Sequence, residues 1–385
     1  MAVATLQNPN PSIATVGRQP QTTAQQGAQA APFTRLARKA EIQGFSQSGI
    51  VFTAPPPVTQ NLKPVGGYLR YLVMLVQASS GGGTNACVAS ADAPFNSIQS
   101  FIFKDPSGQP FIQMDGYGLY LMNLYSGQVA ELGFQNPSGL PSWAAIQTTS
   151  GAGCGNFTFR LLVPLEFDSA AYCCLPGLNA SAQPQVVINF NTSATVYTTP
   201  PLTVPTLAVT VNQRFWTVPI ANTGATPPGL GSSFQWTQTQ GQQSVPTGAF
   251  VRVTIPAVGQ WWGTSIFVLR DNTNARVANF PTTDLAFNLD NFPLEFEALT
   301  ERQDLIYMMF GVAAPTGVLV YSFRDSVRRS VAQDDTHDLL LPTTPASLVE
   351  LSGTFQTITN SPGTITAYVG QLYPSGGIPY THLAA

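Results

Sequence analysis

The chain has 385 residues, room for two domains of ordinary size, yet only 9% of them are charged, against roughly a quarter in soluble proteins. With 44% hydrophobic residues it can build a core, so its surface must be covered largely by Ser, Thr, Asn, Gln, Gly and Pro. The net charge of −3 divides into +3 over residues 1–45 and −6 over the remainder; no basic stripe exists for a nucleic-acid groove, and sequence-specific nucleic-acid binding is disfavoured.

Such a neutral surface suits an extracellular β-protein or a protein whose faces are buried against copies of itself. The first residues lack the basic region and apolar stretch of a signal peptide, and the unbroken apolar runs, Leu72–Val76 among them, are far too short to span a membrane. Cys87, Cys154, Cys173 and Cys174 show no C-x-x-C spacing, so neither a zinc site nor a disulfide framework is indicated. Reduced cysteines and synthesis in a cytoplasm are expected.

In chain order, residues 1–31 are rich in Gln, Ala, Pro, Asn and Thr and cannot bury enough surface to offset ordering entropy. From Pro32 the texture changes. Phe33, Leu36 and Ala40 fall on one helical face, Arg35, Arg38 and Lys39 lie elsewhere on the turn, and Thr34 is a plausible N-cap. The spacing predicts a short basic amphipathic helix, marginal without a docking surface. It fits two roles: packing on its own domain or a neighbour, or facing a lipid surface or an internal partner.

After Gly44 the pattern is β. Ile50–Thr53 reads as a short strand, and Tyr68–Val76 as one buried on both faces. Ser97–Phe103 and Pro110–Met114 read as a hairpin around Asp105-Pro106-Ser107-Gly108, a type I turn sequence. Gly116–Tyr125 is expected as a short helix. Then Phe157, Phe159, Leu161 and Val163 alternate in a strand that Pro164 must end or bend. A connection through Leu175-Pro176-Gly177 leads to the strand Val186–Phe190. The Pro/Thr-rich run after it predicts an inter-domain linker.

A second set of strands is expected from Leu207–Trp216, followed by Phe250–Ile255, Ser265–Leu269 answered by Arg276–Ala278, Leu305–Val312, Gly317–Phe323, Leu348–Phe355 and Thr364–Tyr373; residues 221–233 carry no strand signal. Ser100–Asp105 and Ile266–Asp271 share one pattern, strand, basic residue, then Asp opening a turn, which suggests a duplication. The predicted fold is all-β: two eight-stranded jelly-roll sandwiches in tandem, a double jelly roll with a short N-terminal helical arm. The expected division is an arm over 1–44, a first jelly roll over 45–198, a linker over 199–206 and a second jelly roll with a C-terminal tail over 207–385.

Catalytic chemistry is sparse. There are two histidines, His337 and His382, too few for a cupin-type metal site. The acidic run Asp334–Asp338 lacks the spacing of a calcium loop. Glu166 with Asp168, and Glu295 with Glu297 and Glu301, are the carboxylate groups glycoside hydrolysis would need, and Trp261-Trp262 is the best sugar-platform candidate, though such a pair more commonly sits in a core or an interface. The sequons at Asn156, Asn179 and Asn191 matter only in a glycosylating compartment. A non-enzymatic building block without cofactor or metal is the expectation.

The corner Val163-Pro164-Leu165-Glu166-Phe167, then Leu175-Pro176, then Val186–Phe190, resembles the end of the first jelly roll in double-jelly-roll major capsid proteins of internal-membrane-containing viruses, the tectivirus-like phages most closely. Pro64–Leu69, Ser97–Gly108, Ser265–Asn274 and Gly317–Asp325 resemble further strands and hairpins of that family. The resemblance implies a homotrimeric, pseudo-hexagonal capsomer tiling an icosahedral shell over an internal membrane. It also implies capsomer–capsomer contacts, contacts with penton and minor membrane proteins, and a place in the virion capsid after synthesis in the host cytoplasm. Phe33, Arg35, Leu36, Arg38 and Lys39 would belong to an arm facing the membrane or inner face. An extracellular jelly-roll carbohydrate-binding adhesin or a phage spike module is the alternative.

Overall fold

The computed structural model describes residues 33–126, 136–167, 171–177, 182–219, 225–227, 230–239, 243–246, 248–255, 261–323, 340–343 and 348–373. The described residues form one unit. The chain opens with a single helical turn, α1 (Phe33–Leu36). The predicted helix stops there because Lys39 and Ala40 are already extended, paired with Trp216 and Phe215; ten residues of helix cannot compete with a strand that satisfies the same backbone groups on a neighbour.

Sixteen principal strands follow. The first eight are β1 (Lys39–Val51), β2 (Val58–Asn61), β3 (Gly67–Ser79), β4 (Ile98–Lys104), β5 (Pro110–Met114), β6 (Phe157–Pro164), β7 (Gln185–Phe190) and β8 (Thr206–Thr217). They form two facing sheets in the orders β1-β8-β3-β6 and β2-β7-β4-β5. First pairs with eighth, second with seventh, third with sixth and fourth with fifth, all antiparallel. This is one long hairpin rolled up on itself, the jelly roll.

The second eight repeat the scheme: β9 (Ser233–Gln238), β10 (Phe250–Ile255), β11 (Trp261–Arg270), β12 (Leu285–Leu289), β13 (Phe292–Glu297), β14 (Val318–Ser322), β15 (Val349–Thr354) and β16 (Gly363–Tyr373). Their orders are β9-β16-β11-β14 and β10-β15-β12-β13. The rolls are fused where β5 and β9 pair in parallel, Ile112 opposite Trp236 and Gln113 opposite Thr237, so that one ten-stranded sheet runs through both.

Two cores follow from this layering. Leu72, Met74, Phe159, Val163, Val209 and Val211 face Phe101, Phe103, Ile112, Val186 and Ile188 in the first. Trp262, Phe267, Leu319 and Ile365 face Val253, Leu285, Phe287 and Leu351 in the second. Ile266, Val268, Val318 and Val320, on the opposite face of β11 and β14, join the first core; the second roll is therefore apolar on both faces of one sheet, as β3 is in the first.

Several expectations change. Leu207–Trp216 does not open the second roll: β8 lies between β1 and β3, and its Leu207, Val209 and Val211 fill the first core. The run expected as linker contains a helical turn, Ser193–Val196, and a short strand, Tyr197–Thr199, paired with Val88–Ala89. Ser233–Gln238 is a strand where none was expected. Arg276–Ala278 contributes only an isolated bridge, Arg270 opposite Arg276. Leu305–Val312 is not a strand; it lies largely in helix α3 (Leu299–Phe310), capped at its start by Glu301 and ended by Gly311 at φ 69°.

The Asp105 and Asp271 turns are the same device. Each Asp Oδ1 accepts from the backbone N–H two and four residues on, at 2.8 and 2.8 Å from Ser107 and Gln109, and 2.9 and 2.9 Å from Thr273 and Ala275. They nevertheless close β4, fourth in its roll, and β11, third in its roll. The sequence repeat reflects shared turn chemistry and not equivalent strands.

The duplicated feature is a helix after the fifth strand. Helix α2 (Gly116–Tyr125) follows β5 as predicted and α3 follows β13. Each caps the free edge of its roll's sixth strand. Asn123 donates to Leu162 O (2.8 Å) and accepts from Leu162 N (2.9 Å), and Arg302 Nε donates to Val320 O (2.7 Å).

Candidate functional site

The predicted corner sits on one long edge. β6 pairs with β3 from Ala78 to Tyr71, where Pro164 ends it; the chain leaves the edge and returns as Leu175 and Pro176 opposite Leu69 and Tyr68. Val163, Leu165 and Phe167 are buried in the first core. Between them Glu166, itself fully buried, turns the other way. Its carboxylate receives Arg70 Nε at 2.5 Å, Trp216 Nε1 at 3.1 Å and Ala171 N at 2.8 Å. Burial pushes this carboxyl up, and the Arg70 charge with the three donors opposes the push.

The predicted arm packs on Trp216, the residue that donates to Glu166. Phe33 is buried edge-on against Tyr68 and Trp216, with ring centroids 5.4 and 6.1 Å away. Lys39 Nζ lies 5.1 Å from the Trp216 ring and Arg70 Cζ 4.6 Å from it. Arg38 O accepts from Thr217 N at 2.8 Å, and Arg38 N donates to Thr217 Oγ1 at 3.0 Å. Arg35 is exposed and Leu36 half-buried. Trp216 thus joins arm and corner, a role that its position at a strand end did not announce. The one signal was Arg70, a lone charge within the apolar run Tyr68–Val76, which needs a buried partner.

The remaining sequence candidates separate. Glu295 and Glu297 both hold Arg302 Nη1, at 2.5 and 3.3 Å, while Arg302 stacks 4.0 Å from the Tyr321 ring. Burial pushes the Glu297 carboxyl up and Arg302 draws it down. Trp262 is fully buried, its Nε1 donating to Ser265 Oγ at 2.6 Å; it offers no sugar platform, and the Trp261 side chain lies outside the described residues. The Asn156 and Asn191 amides are engaged with Gly81 N and Asn96 O, both at 2.8 Å. Asp168, Asn179, His337, His382 and the Asp334–Asp338 run lie outside the described residues.

Two features were not foreseen. At the junction of the rolls Asp92 holds Arg270 and Arg276, the latter at 2.7 Å, and both guanidinium groups lie over Tyr117, 5.4 and 5.2 Å from its ring. Among the described residues this is the ion-pair cluster that crosses from one roll to the other. Beside it Asp115 caps α2 through Gly118 N (2.6 Å) and accepts from Tyr368 Oη at 2.9 Å; burial pushes its carboxyl up.

The second is an apolar surface. Phe292, Leu294 and Phe296 on β13 are 69%, 37% and 66% exposed, and Leu305, Tyr307 and Met308 on α3 are 40%, 59% and 74% exposed. Glu295 and Glu297 of the same strand turn toward Arg302. The usual polarity of an edge strand is inverted, with apolar groups outward and charge inward. Exposed apolar surface of this kind marks an interaction site.

No family model and no curated protein matches the sequence. Solved structures match in fold. The chain is similar to the atomic structure of Sulfolobus turreted icosahedral virus, with TM-score 0.61 and 12% identity over 90% of this chain and 94% of that one. It is similar to PBCV-1 VP54 as fitted into a reconstruction of the virophage Sputnik, with TM-score 0.60 and 11% identity over 89% of this chain and 97% of that one. It is also similar to the major capsid protein P2 of bacteriophage PM2, with TM-score 0.52 and 9% identity over 89% and 100%. The likeness covers 89–90% of this chain.

Proposed function

We propose that this chain is the major capsid protein of an icosahedral virion, a structural and non-enzymatic subunit that forms homotrimeric pseudo-hexagonal capsomers. The observation that carries the reading is the pairing scheme itself: two eight-stranded jelly rolls fused through one ten-stranded sheet, similar along nearly the whole chain to viral capsid structures. The exposed apolar side chains of β13 and α3 support self-association, because packing them against another copy removes apolar surface from water. We divide the rolls between Thr217 and Ser233. The shell would lie over an internal membrane, with penton and minor membrane proteins as further partners, and the arm containing Arg35, Arg38 and Lys39 would face inward.

Light scattering after size exclusion tests the reading. A particle of about 123 kDa, three times 41.0 kDa, stable on dilution, is expected. A monomer that binds immobilised glycans would transfer the reading to an adhesin, and a monomer that binds nothing would refute the capsomer.

A further inference from the structure

A cavity of about 470 Å³ opens at the junction of the two rolls, within the size range of small-ligand sites. Segments 90–99 and 191–198 line it from the first roll, Asp115 and Tyr117 from the start of α2, and Arg270 with the turn after it from the second roll. A second cavity, of about 290 Å³, shares Ala91, Asp92 and Tyr117 with the first and continues to Phe95, Tyr120 and Trp143. These three rings are stacked: Phe95 lies 3.9 Å from Tyr120 and 5.4 Å from Trp143, at interplanar angles of 14° and 20°. One cavity is therefore polar, and its neighbour has an aromatic wall.

Two polar atoms of the residues in these walls, Asn96 Oδ1 and Tyr117 Oη, are buried without a hydrogen-bond partner among the described residues. Turning the Asn96 amide does not relieve this. Its Nδ2 donates to Ser90 Oγ at 2.7 Å and to Thr195 O at 3.2 Å, and a carbonyl oxygen only accepts. An unmet acceptor and an unmet hydroxyl beside one cavity call for a group that both donates and accepts. Charge is already spent inside the protein. Both Asp92 oxygens receive guanidinium groups, from Arg270 and Arg276, and Asp115 holds Gly118 N and Tyr368 Oη. An anion would have to displace Asp92, and a cation finds no carboxylate oxygen left over.

We propose that the two cavities together form a binding site for a neutral saccharide, its hydroxyl groups at Asn96 and Tyr117 and a C–H face toward Phe95, Tyr120 and Trp143. Ordered water would satisfy the polar atoms alone, but the aromatic wall beside them favours carbon. A sugar ring carries both: hydroxyl groups that donate and accept, and faces of C–H bonds. The remaining polar lining suits it, because Gln99, Thr198, Gln238 and Asn274 are neutral hydrogen-bonding side chains. The frame is fixed beforehand by the Arg270–Asp92–Arg276 cluster over Tyr117, so binding orders little of the protein. Residues of both rolls line the site, and a bound saccharide stabilises their junction. The proposal holds whatever the oligomeric state, so it stands or falls separately from the capsomer reading.

The test uses full-length protein and, as probes, the methyl glycosides of glucose, galactose, mannose and N-acetylglucosamine, with glucuronic acid and glucosamine as charged relatives. Saturation-transfer NMR, then titration calorimetry on the best probe, should show a neutral saccharide bound at one site per chain. The charged relatives should bind on the order of tenfold more weakly, because their charge is desolvated without a partner. Tyr117→Phe deletes only an unpartnered hydroxyl, so the melting temperature should hold while affinity falls roughly fivefold. Ala91→Trp, at an exposed position that lines both cavities, should fill them and abolish binding with unchanged circular dichroism. A wild type that binds none of the probes, binding that persists unchanged in Ala91→Trp, or equal binding of the charged relatives would each overturn the proposal. A further arm identifies the source of the sugar. Capture on an immobilised polysaccharide of the preferred sugar, competed by the free glycoside, assigns the ligand to a surface glycan; glycoside binding without capture assigns it to a free sugar, and both outcomes uphold the site.

Discussion

Asp92 gives the sharpest test of how the two rolls are held together. In Asp92→Ala the guanidinium of Arg270, 7% exposed as a residue, loses its carboxylate and keeps a marginal contact to Asn274 O at 3.5 Å and the Tyr117 ring at 5.4 Å. Removing one member of a buried pair costs about 3–5 kcal/mol, because the remaining charge stays desolvated. Treated as one cooperative unit, residues 33–385 have an unfolding entropy of roughly 0.7 kcal/mol/K, so the melting temperature should fall by about 4–7 °C in calorimetry at neutral pH. Most of that loss is the stranded charge and not the missing bond. The double variant Asp92→Ala/Arg270→Met should therefore recover more than half of it. A single-variant shift below about 1 °C, or a double variant no better than the single, would refute the reasoning.

Other consequences concern other sites. In Asp115→Asn the α2 cap survives, since Asn caps nearly as well as Asp, but a titrating group disappears. Burial raises the Asp115 carboxyl above its ordinary 3.8, so the folded protein holds this proton more tightly than the unfolded chain. Its contribution to stability is fully present below the ordinary value and is lost as pH rises toward the folded one. The melting temperature of the wild type relative to Asp115→Asn should thus decline from pH 4 upward, and a constant difference would contradict the assignment. The Cys87 thiol, buried and donating to Gln147 O at 3.3 Å, is pushed up to about 11 by its burial and by the neighbouring Cys154 thiol. Neither thiol should react with iodoacetamide at pH 7.5 until the protein is denatured, as counted by mass spectrometry; prompt labelling of the native protein would contradict this. Replacing Arg35, Arg38 and Lys39 with Glu should leave soluble trimers intact but reduce membrane-containing particles. Normal particle yields would sink an inner-face role for these charges.

The two rolls treat corresponding elements differently. Both fifth strands are followed by a helix that caps the sixth strand, through Asn123 in one roll and Arg302 in the other. Asn123 is neutral and buried. Arg302 brings a charge, which requires Glu295 and Glu297 to turn inward beside it. Turning them inward leaves Phe292 and Phe296 on the outside of β13. One capping choice thereby sets the apolar character of the outer surface of β13.

Much of this molecule is legible in its residues because the relevant physics is local. Alternation marks β4, β6 and β7, turn chemistry marks Asp105 and Asp271, and the low charge content points to surfaces meant for other surfaces. The corner from Val163 to Pro176 could be read because Pro164 cannot continue a central ladder. Other features depend on what lies across space. β8 alternates as cleanly in either roll, so only its hydrogen bonds to β1 and β3 place it in the first. α3 and a strand share the apolar run Leu305–Val312, and the choice between them fell to the packing of Ile306 and the reach of Arg302 to Val320. Phe33, Glu166 and Trp216 lie far apart in sequence, and nothing in their own neighbourhoods brings them together. Their meeting is a product of the rolled hairpin, which sets the two ends of the first jelly roll side by side because its first strand must pair with its eighth.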